Sequence, residues 1–235
     1  MAGILSPCYK SLHEPYAKKL IAIILALHNG RINRQDFRKY VLYLDNTKQL
    51  EFNSSFLNTW QLGILKDEFP DTKFILMVRD CYSWLNAFIN LLRLLEYSRV
   101  PSEDRRFLDV LFGKGPYQYP KEEVFLYENG FYPLDHLLSY WARVSNEALA
   151  IVPESRILVV RTAEIGSQTD KIADFLNIPA RNLDPTRSHL NKNVQYPNDI
   201  LFKIDRDYLV SRVNLHCKPL MDRFFPGFIY EDQTV

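Results

Sequence analysis

The stretch KFILMV, residues 73–78, is the strongest fold signal in this sequence, and the charged pair Arg79 and Asp80 follows it directly. The run has the length of a strand and is almost wholly apolar, which predicts a strand buried on both faces of a parallel sheet. Residues 83–97 then carry a helical pattern. The unit is a strand, a turn and a helix, with charge at the carboxyl end of the strand, where open α/β sheets bind ligands.

A second unit of this kind lies in the later half of the chain. ILVV, residues 157–160, predicts a buried strand that ends at Arg161, and a helix is predicted at residues 168–176. The two units favour a helix-rich α/β fold in one domain, residues 1–235, with a three-layer parallel sheet flanked by helices. Further helices are predicted at residues 15–30, after Asn33, and at 56–69, 103–112, 134–152 and 204–224. A short strand is predicted at residues 50–52. Residues 98–132 are predicted to form an irregular insertion, and residues 179–198 a polar loop.

Composition and charge exclude several classes of protein. The chain has 29 basic and 28 acidic residues, a net charge of +1, which argues against a protein that coats nucleic acid. Cys8, Cys81 and Cys217 are odd in number and far apart, which predicts no disulfide framework, no metal site and a reducing, cytoplasmic location. The most apolar run, residues 20–27, is too short to span a membrane, so no membrane partner is predicted.

Glycine is scarce, with 8 residues in 235, and the chain contains neither GxGxxG nor GxxxxGK[ST]. The two arginines at the strand ends, Arg79 and Arg161, offer another way to hold an anion, because a guanidinium donates paired hydrogen bonds to phosphate. Helix N-termini beside the strand ends would add backbone N–H groups. In the alternative interpretation, each arginine pairs with a nearby acid, such as Asp80 or Glu164.

The segments around both strands resemble the sulfotransferase family. PDTKFILMVRDCYSWLNAFINLL at residues 70–92 is similar to the strand, loop and helix that bind the 3'-phosphate of the sulfate donor, 3'-phosphoadenosine 5'-phosphosulfate. RILVVRTAEIGSQTDKIADFLNIP at residues 156–179 is similar to a later strand and helix of that family, and LEFNSSF at residues 50–56 fits the upstream order. The resemblance implies a P-loop NTPase-like sulfotransferase fold and transfer of a sulfuryl group, without metal, to a hydroxyl or amine of a small molecule or carbohydrate.

The resemblance also implies which residues bind the donor. Arg79 matches the arginine that holds the 3'-phosphate. The family often has a serine eight positions later, where this chain has Ala87, and Ser83 in the first helical turn is the substitute. The family's late donor-binding loop falls on a basic and polar stretch without the usual RKG signature. Its candidates here are Arg187, Ser188, Asn191 and Lys192.

Sulfuryl transfer needs a base that deprotonates the acceptor. Glu51 resembles the glutamate of an early strand in some carbohydrate sulfotransferases, and His13 and Glu14 lie where other relatives have a carboxylate base. The sequence leaves this choice open. The insertion at residues 98–132 would shape the acceptor pocket, and its aromatic residues either line that pocket or pack the insertion itself. They are Tyr97, Tyr117, Tyr119 and Phe125.

One departure from the family concerns the first residues, MAGILSPCYKSLHEP. MAGILS resembles the helix that follows the family's 5'-phosphosulfate loop, so we expect the strand and loop before it to be missing. This leaves two alternatives to an active sulfotransferase: a binding protein of the same fold without catalysis, and a P-loop kinase-like phosphoryl transferase. The latter needs an acid at a strand end for magnesium, where Asp80 is available, but no Walker lysine accompanies it.

Overall fold

The computed structural model describes residues 1–5, 7–94, 102–189 and 200–230. Its fold is α/β and rich in helix, as the sequence predicts. The helices are α1 Ala2–Leu5, α2 Ala17–His28, α3 Arg34–Lys48, α4 Leu62–Glu68, α5 Cys81–Leu94, α6 Ser102–Phe112, α7 Val124–Glu128, α8 Leu134–Ile151, α9 Thr169–Leu176, α10 Arg206–His216 and α11 Lys218–Phe224. None of the helices in these ranges is long and apolar enough to cross a membrane.

The strands within the described ranges form two small parallel pairs. β1 Ser11–His13 pairs with β2 Phe52–Ser54, so that residue 13 lies opposite residue 54. β3 Phe74–Val78 pairs with β4 Ile157–Arg161, and Val78 lies opposite Arg161. In each pair the carboxyl ends therefore lie at the same edge.

Contacts along the chain divide it into two compact units, each made of two segments. The first unit comprises residues 1–78 and 146–193, and the second comprises residues 79–145 and 194–235. Both strand pairs belong to the first unit.

Helices cover both faces of the β3–β4 pair. Side chains alternate between the faces of a strand, so the nearly continuous apolar runs supply apolar groups to both sides. One face packs against α1 and α9, and the other packs against α4 and the end of α8. The residues of the first face are Ile75, Met77, Leu158 and Val160, and those of the second are Phe74, Leu76 and Ile157.

The second unit is helical in its described part, and its core is built from apolar residues spaced three or four apart on each helix. Examples of these buried residues are Leu85 and Ile89 on α5, Phe107 and Leu111 on α6, Leu134 and Leu138 on α8, and Leu209 and Val213 on α10.

Several boundaries differ from the sequence-based expectation. The predicted helix at 56–69 is a 3-10 helix, Phe56–Trp60, followed by α4, and the predicted strand at 50–52 lies two residues later as β2. The predicted helix at 204–224 is two helices that meet at Cys217. Pro219 explains the break, because proline has no N–H to continue the hydrogen bonds of α10. Strand β1 and helix α7 were not predicted.

Candidate functional site

The turn after β3 holds Arg79 by its backbone and leaves its side chain exposed. The indole N–H of Trp141 donates to the Arg79 carbonyl over 3.0 Å. Within the described part of its own unit, the Arg79 guanidinium makes no hydrogen bond or ion pair. Asp80 forms no ion pair with it; instead, one Asp80 oxygen accepts from the Ser83 N–H over 2.8 Å and caps α5. Among the described residues of this unit, therefore, no acid pairs with the Arg79 guanidinium.

The corresponding arginine of β4 behaves differently. Arg161 Nε lies 3.0 Å from an oxygen of Glu164, as the ion-pair interpretation predicts. The Glu164 carboxylate also accepts a hydrogen bond from the Gln168 amide. Thr162 ties the two strand ends together, since its hydroxyl donates to the Val78 carbonyl over 3.0 Å. Of the two predicted anion-binding arginines, Arg161 is thus already partnered.

His13 lies at the carboxyl end of the β1–β2 pair, and its ring is exposed. His13 Nδ1 is 3.2 Å from the Ser54 carbonyl oxygen. A carbonyl only accepts hydrogen bonds, so Nδ1 carries the proton and neutral His13 has its lone pair on Nε2. This arrangement presents a proton acceptor with a fixed tautomer.

Glu14 follows His13 in a left-handed backbone conformation, with φ 51°, which is uncommon outside glycine. Its N–H donates to the Ser54 carbonyl over 2.8 Å. Its carboxylate accepts from the Ser55 hydroxyl over 2.5 Å and from the Phe56 N–H over 3.1 Å. These bonds hold the unusual conformation in place, and held outliers of this kind cluster at functional sites.

Glu51 lies at the other end of the same strand pair, where its carboxylate accepts from the Lys10 N–H over 2.9 Å. Strand β2 starts one residue later, at Phe52. The structure therefore brings together two of the three predicted base candidates, His13 and Glu14, and separates Glu51 from them by the length of the strands.

The late loop is described only up to His189. Arg187 and Ser188 lie in a 3-10 helix, Pro185–His189, that packs on α1. Arg187 Nε is 3.6 Å from a carboxylate oxygen of Asp184. Ser188 lies close to Gly166, since a Cβ at position 166 would stand 3.2 Å from the Ser188 hydroxyl oxygen. The other predicted loop residues, Asn191 and Lys192, lie outside the described residues.

The aromatic residues of the insertion pack against the insertion itself. Tyr117 donates its hydroxyl to the Gly113 carbonyl, and Tyr119 donates to the Phe131 carbonyl over 2.6 Å. The Phe125 and Phe131 ring centroids are 6.2 Å apart. These three residues fit the packing interpretation, and Tyr97 lies outside the described residues.

Sequence reasoning missed two residues that organise these sites, Ser55 and Trp141. Ser55 had a local signal, because a serine between a strand and a helix is a typical N-cap, and its hydroxyl accepts from the Leu57 N–H over 3.1 Å. Trp141 had none, because its bond to the Arg79 carbonyl joins residues 62 positions apart.

No family model, curated protein or solved structure matches this chain. Across the ranges that the structure describes, no group of three or more His, Cys, Asp or Glu side chains is arranged to hold a metal ion.

Proposed function

We propose that this protein is a sulfotransferase-like enzyme that binds 3'-phosphoadenosine 5'-phosphosulfate and transfers its sulfuryl group to a hydroxyl or amine of a small molecule or glycan. The observation that carries the proposal is the exposed guanidinium of Arg79, directly after β3 and before α5, whose donors make no bond within the described part of its own unit. A planar guanidinium at this position suits the donor's 3'-phosphate.

The architecture around the strands supports the same proposal. Helices on both faces of the β3–β4 pair are what a three-layer, P-loop-like sulfotransferase fold requires. Ser83, in the first turn of α5, is the proposed second contact for the 3'-phosphate. In the late loop, Arg187, Ser188 and Lys192 are the proposed further contacts to the donor.

His13 is the base that the geometry favours for activation of the acceptor. Its bond to the Ser54 carbonyl leaves Nε2 as the proton acceptor, whereas both Glu14 oxygens already accept hydrogen bonds. We assign Glu14 the role of a positioning residue that fixes the turn after β1. Glu51 lies at the opposite strand end and is not part of this arrangement.

The reaction is an in-line displacement without a covalent enzyme intermediate. The acceptor oxygen or nitrogen forms a bond to sulfur while the bond from sulfur to the 5'-phosphate oxygen breaks. The acceptor proton passes to His13 Nε2. The electron pair of the broken bond leaves with 3'-phosphoadenosine 5'-phosphate, whose charge cationic side chains stabilise.

Calorimetric titration with 3'-phosphoadenosine 5'-phosphate tests donor binding. We expect micromolar affinity for the wild type and a loss of about tenfold or more in Arg79→Ala, because a charge-assisted hydrogen bond contributes about 1.5–3 kcal/mol. Arg161→Ala is the matched control, since its guanidinium is paired with Glu164, and its affinity should stay near that of the wild type. Folded wild-type protein that gives no heat would overturn the proposal, as would equal losses in both variants.

A second arm measures sulfuryl transfer to a panel of hydroxyl and amine acceptors. His13→Gln should lower turnover by about a hundredfold, the usual scale of general-base catalysis, while Glu51→Gln leaves it unchanged. Donor binding without turnover on any acceptor would instead identify a non-catalytic binding protein.

A further inference from the structure

The contact between the start of α8 and the end of α10 joins a serine, a histidine and an aspartate. Ser139 Oγ lies 3.1 Å from His216 Nδ1, and His216 Nε2 lies 3.0 Å from Asp135 Oδ1. Asp135 and Ser139 are one turn apart on α8, and His216 is the last residue of α10. All three belong to the second unit.

The ionisation state of Asp135 determines which nitrogen of His216 carries the proton. Arg212 donates two hydrogen bonds to the Asp135 carboxylate, one of them over 2.5 Å from Nε. Burial raises the pKa of Asp135, but the bonds from Arg212 and His216 outweigh it and leave this pKa below its usual value. An ionised Asp135 only accepts, so His216 donates from Nε2 and its lone pair on Nδ1 faces the Ser139 hydroxyl.

A nucleophile within hydrogen-bond reach of a base, with the base oriented by a third group, is the structural signature of nucleophilic catalysis. We propose that Ser139, His216 and Asp135 form an acyl-transfer site that is separate from the proposed sulfuryl-transfer chemistry. Ser139 is exposed, so an acyl donor can reach it without a conformational change.

The chemistry proceeds in two balanced steps. Ser139 Oγ forms a bond to the acyl carbon, its proton passes to His216 Nδ1, and the bond to the leaving oxygen breaks with the electron pair on the leaving group. After His216 returns its proton to solvent, water attacks the acyl carbon of the acyl-serine and His216 Nδ1 accepts the water proton. The bond between the acyl carbon and Ser139 Oγ then breaks, His216 passes the proton to Oγ, the free acid is released and the serine hydroxyl is restored.

The open position of Ser139 sets the class of substrate. Because Ser139 is exposed, water solvates the oxyanion of the tetrahedral intermediate, and this stabilises it less than an enclosed oxyanion hole would. The site therefore takes activated esters, whose leaving groups depart as stable anions, and not amides.

The test uses the full chain and p-nitrophenyl acetate, followed by p-nitrophenolate release and by mass spectrometry of the acetylated peptide. We expect an acetyl group on Ser139, no acetylation at this peptide in Ser139→Ala, and acetylation about a hundredfold slower in His216→Gln. Ser211→Ala is the matched control, because Ser211 is an exposed serine on α10 whose hydroxyl donates to the Tyr208 carbonyl, and it should react like the wild type.

Ser139→Ala keeps the pairs that Asp135 makes with Arg212 and His216, so its fold is not at risk, and thermal melting checks the His216 variant. Acetylation that is spread over several serines and lysines without preference for Ser139 overturns the proposal. So does an unchanged rate at Ser139 in folded His216→Gln. Neither result depends on whether the protein binds the sulfate donor.

Discussion

At the scale of single residues, Glu123 has a carboxyl group that the fold buries and hydrogen-bonds. Its exposed fraction is 1%, and burial raises the pKa of its carboxyl group. The Tyr208 hydroxyl donates to one oxygen over 2.7 Å, and the Leu134 N–H at the start of α8 donates to the other over 3.1 Å. These two bonds stabilise the ionised form, so they lower the pKa of Glu123 and oppose the effect of burial.

Tyr208→Phe should therefore lower the free energy of unfolding more at neutral pH than at acid pH. A pKa raised in the folded state means that Glu123 contributes stability below its unfolded pKa and loses that contribution as the pH rises through its folded pKa. Removal of the Tyr208 hydroxyl raises the folded pKa further and enlarges this loss. We expect a cost of about 2 kcal/mol at neutral pH, the scale of a hydrogen bond to a charged group.

Denaturant unfolding of the variant across pH 4 to 8 measures this effect. Tyr119→Phe is its control, because the Tyr119 hydroxyl donates to a backbone carbonyl that does not titrate. Its cost of about 1 kcal/mol should not change with pH. A pH-independent cost for Tyr208→Phe would mean that Glu123 is not the group that responds.

At the scale of elements, Arg156 fixes the connection between α4 and β3. Its guanidinium donates to the carbonyls of Lys66, Phe69 and Thr72 over 3.1, 2.6 and 2.9 Å. Arg156→Lys keeps the charge but cannot reach three carbonyls with one ammonium. We expect a loss of about 2 kcal/mol in unfolding free energy by chemical denaturation.

Arg181→Lys is the matched control for this change, since Arg181 is exposed and within the described residues has no hydrogen bond or ion pair. Its effect should stay within about 0.5 kcal/mol. Equal stability of the two variants would show that the three carbonyl bonds contribute little.

The same scale shows what the sequence predicts well. The runs at 73–78 and 157–160 identify β3 and β4, because a continuous apolar run is a local property of the chain. Strand β1, SLH, has too few residues to show a period of two, and its pairing with β2 joins positions 41 apart. The candidate site shows the same division. The position of Arg79 directly after a strand can be predicted from the sequence. The hydrogen bond by which Asp80 caps α5 depends on the folded turn, and the sequence does not predict it.

At the scale of the whole molecule, each compact unit is assembled from segments that are distant in the sequence. The second unit combines residues 79–145 with residues 194–235. The bonds from Tyr208 to Glu123, from Arg212 to Asp135, and from the Cys81 N–H to Met221 Sδ all join these segments, the last across 140 positions. A single continuous fragment that contains only this unit therefore does not exist.

A fragment of residues 79–145 should accordingly show no cooperative thermal transition by circular dichroism, because it leaves Glu123 and Asp135 without their partners on α10. Addition of a peptide of residues 200–230 should restore a transition, since it returns α10 and α11. The same peptide with Leu209→Asp is the control. Leu209 has an exposed fraction of 0%, so a charge there would have to be buried without a partner and the peptide should fail. Cooperative melting of the fragment alone would show that helices α5 to α7 and the first part of α8 suffice, and that the contacts with α10 and α11 are secondary to folding.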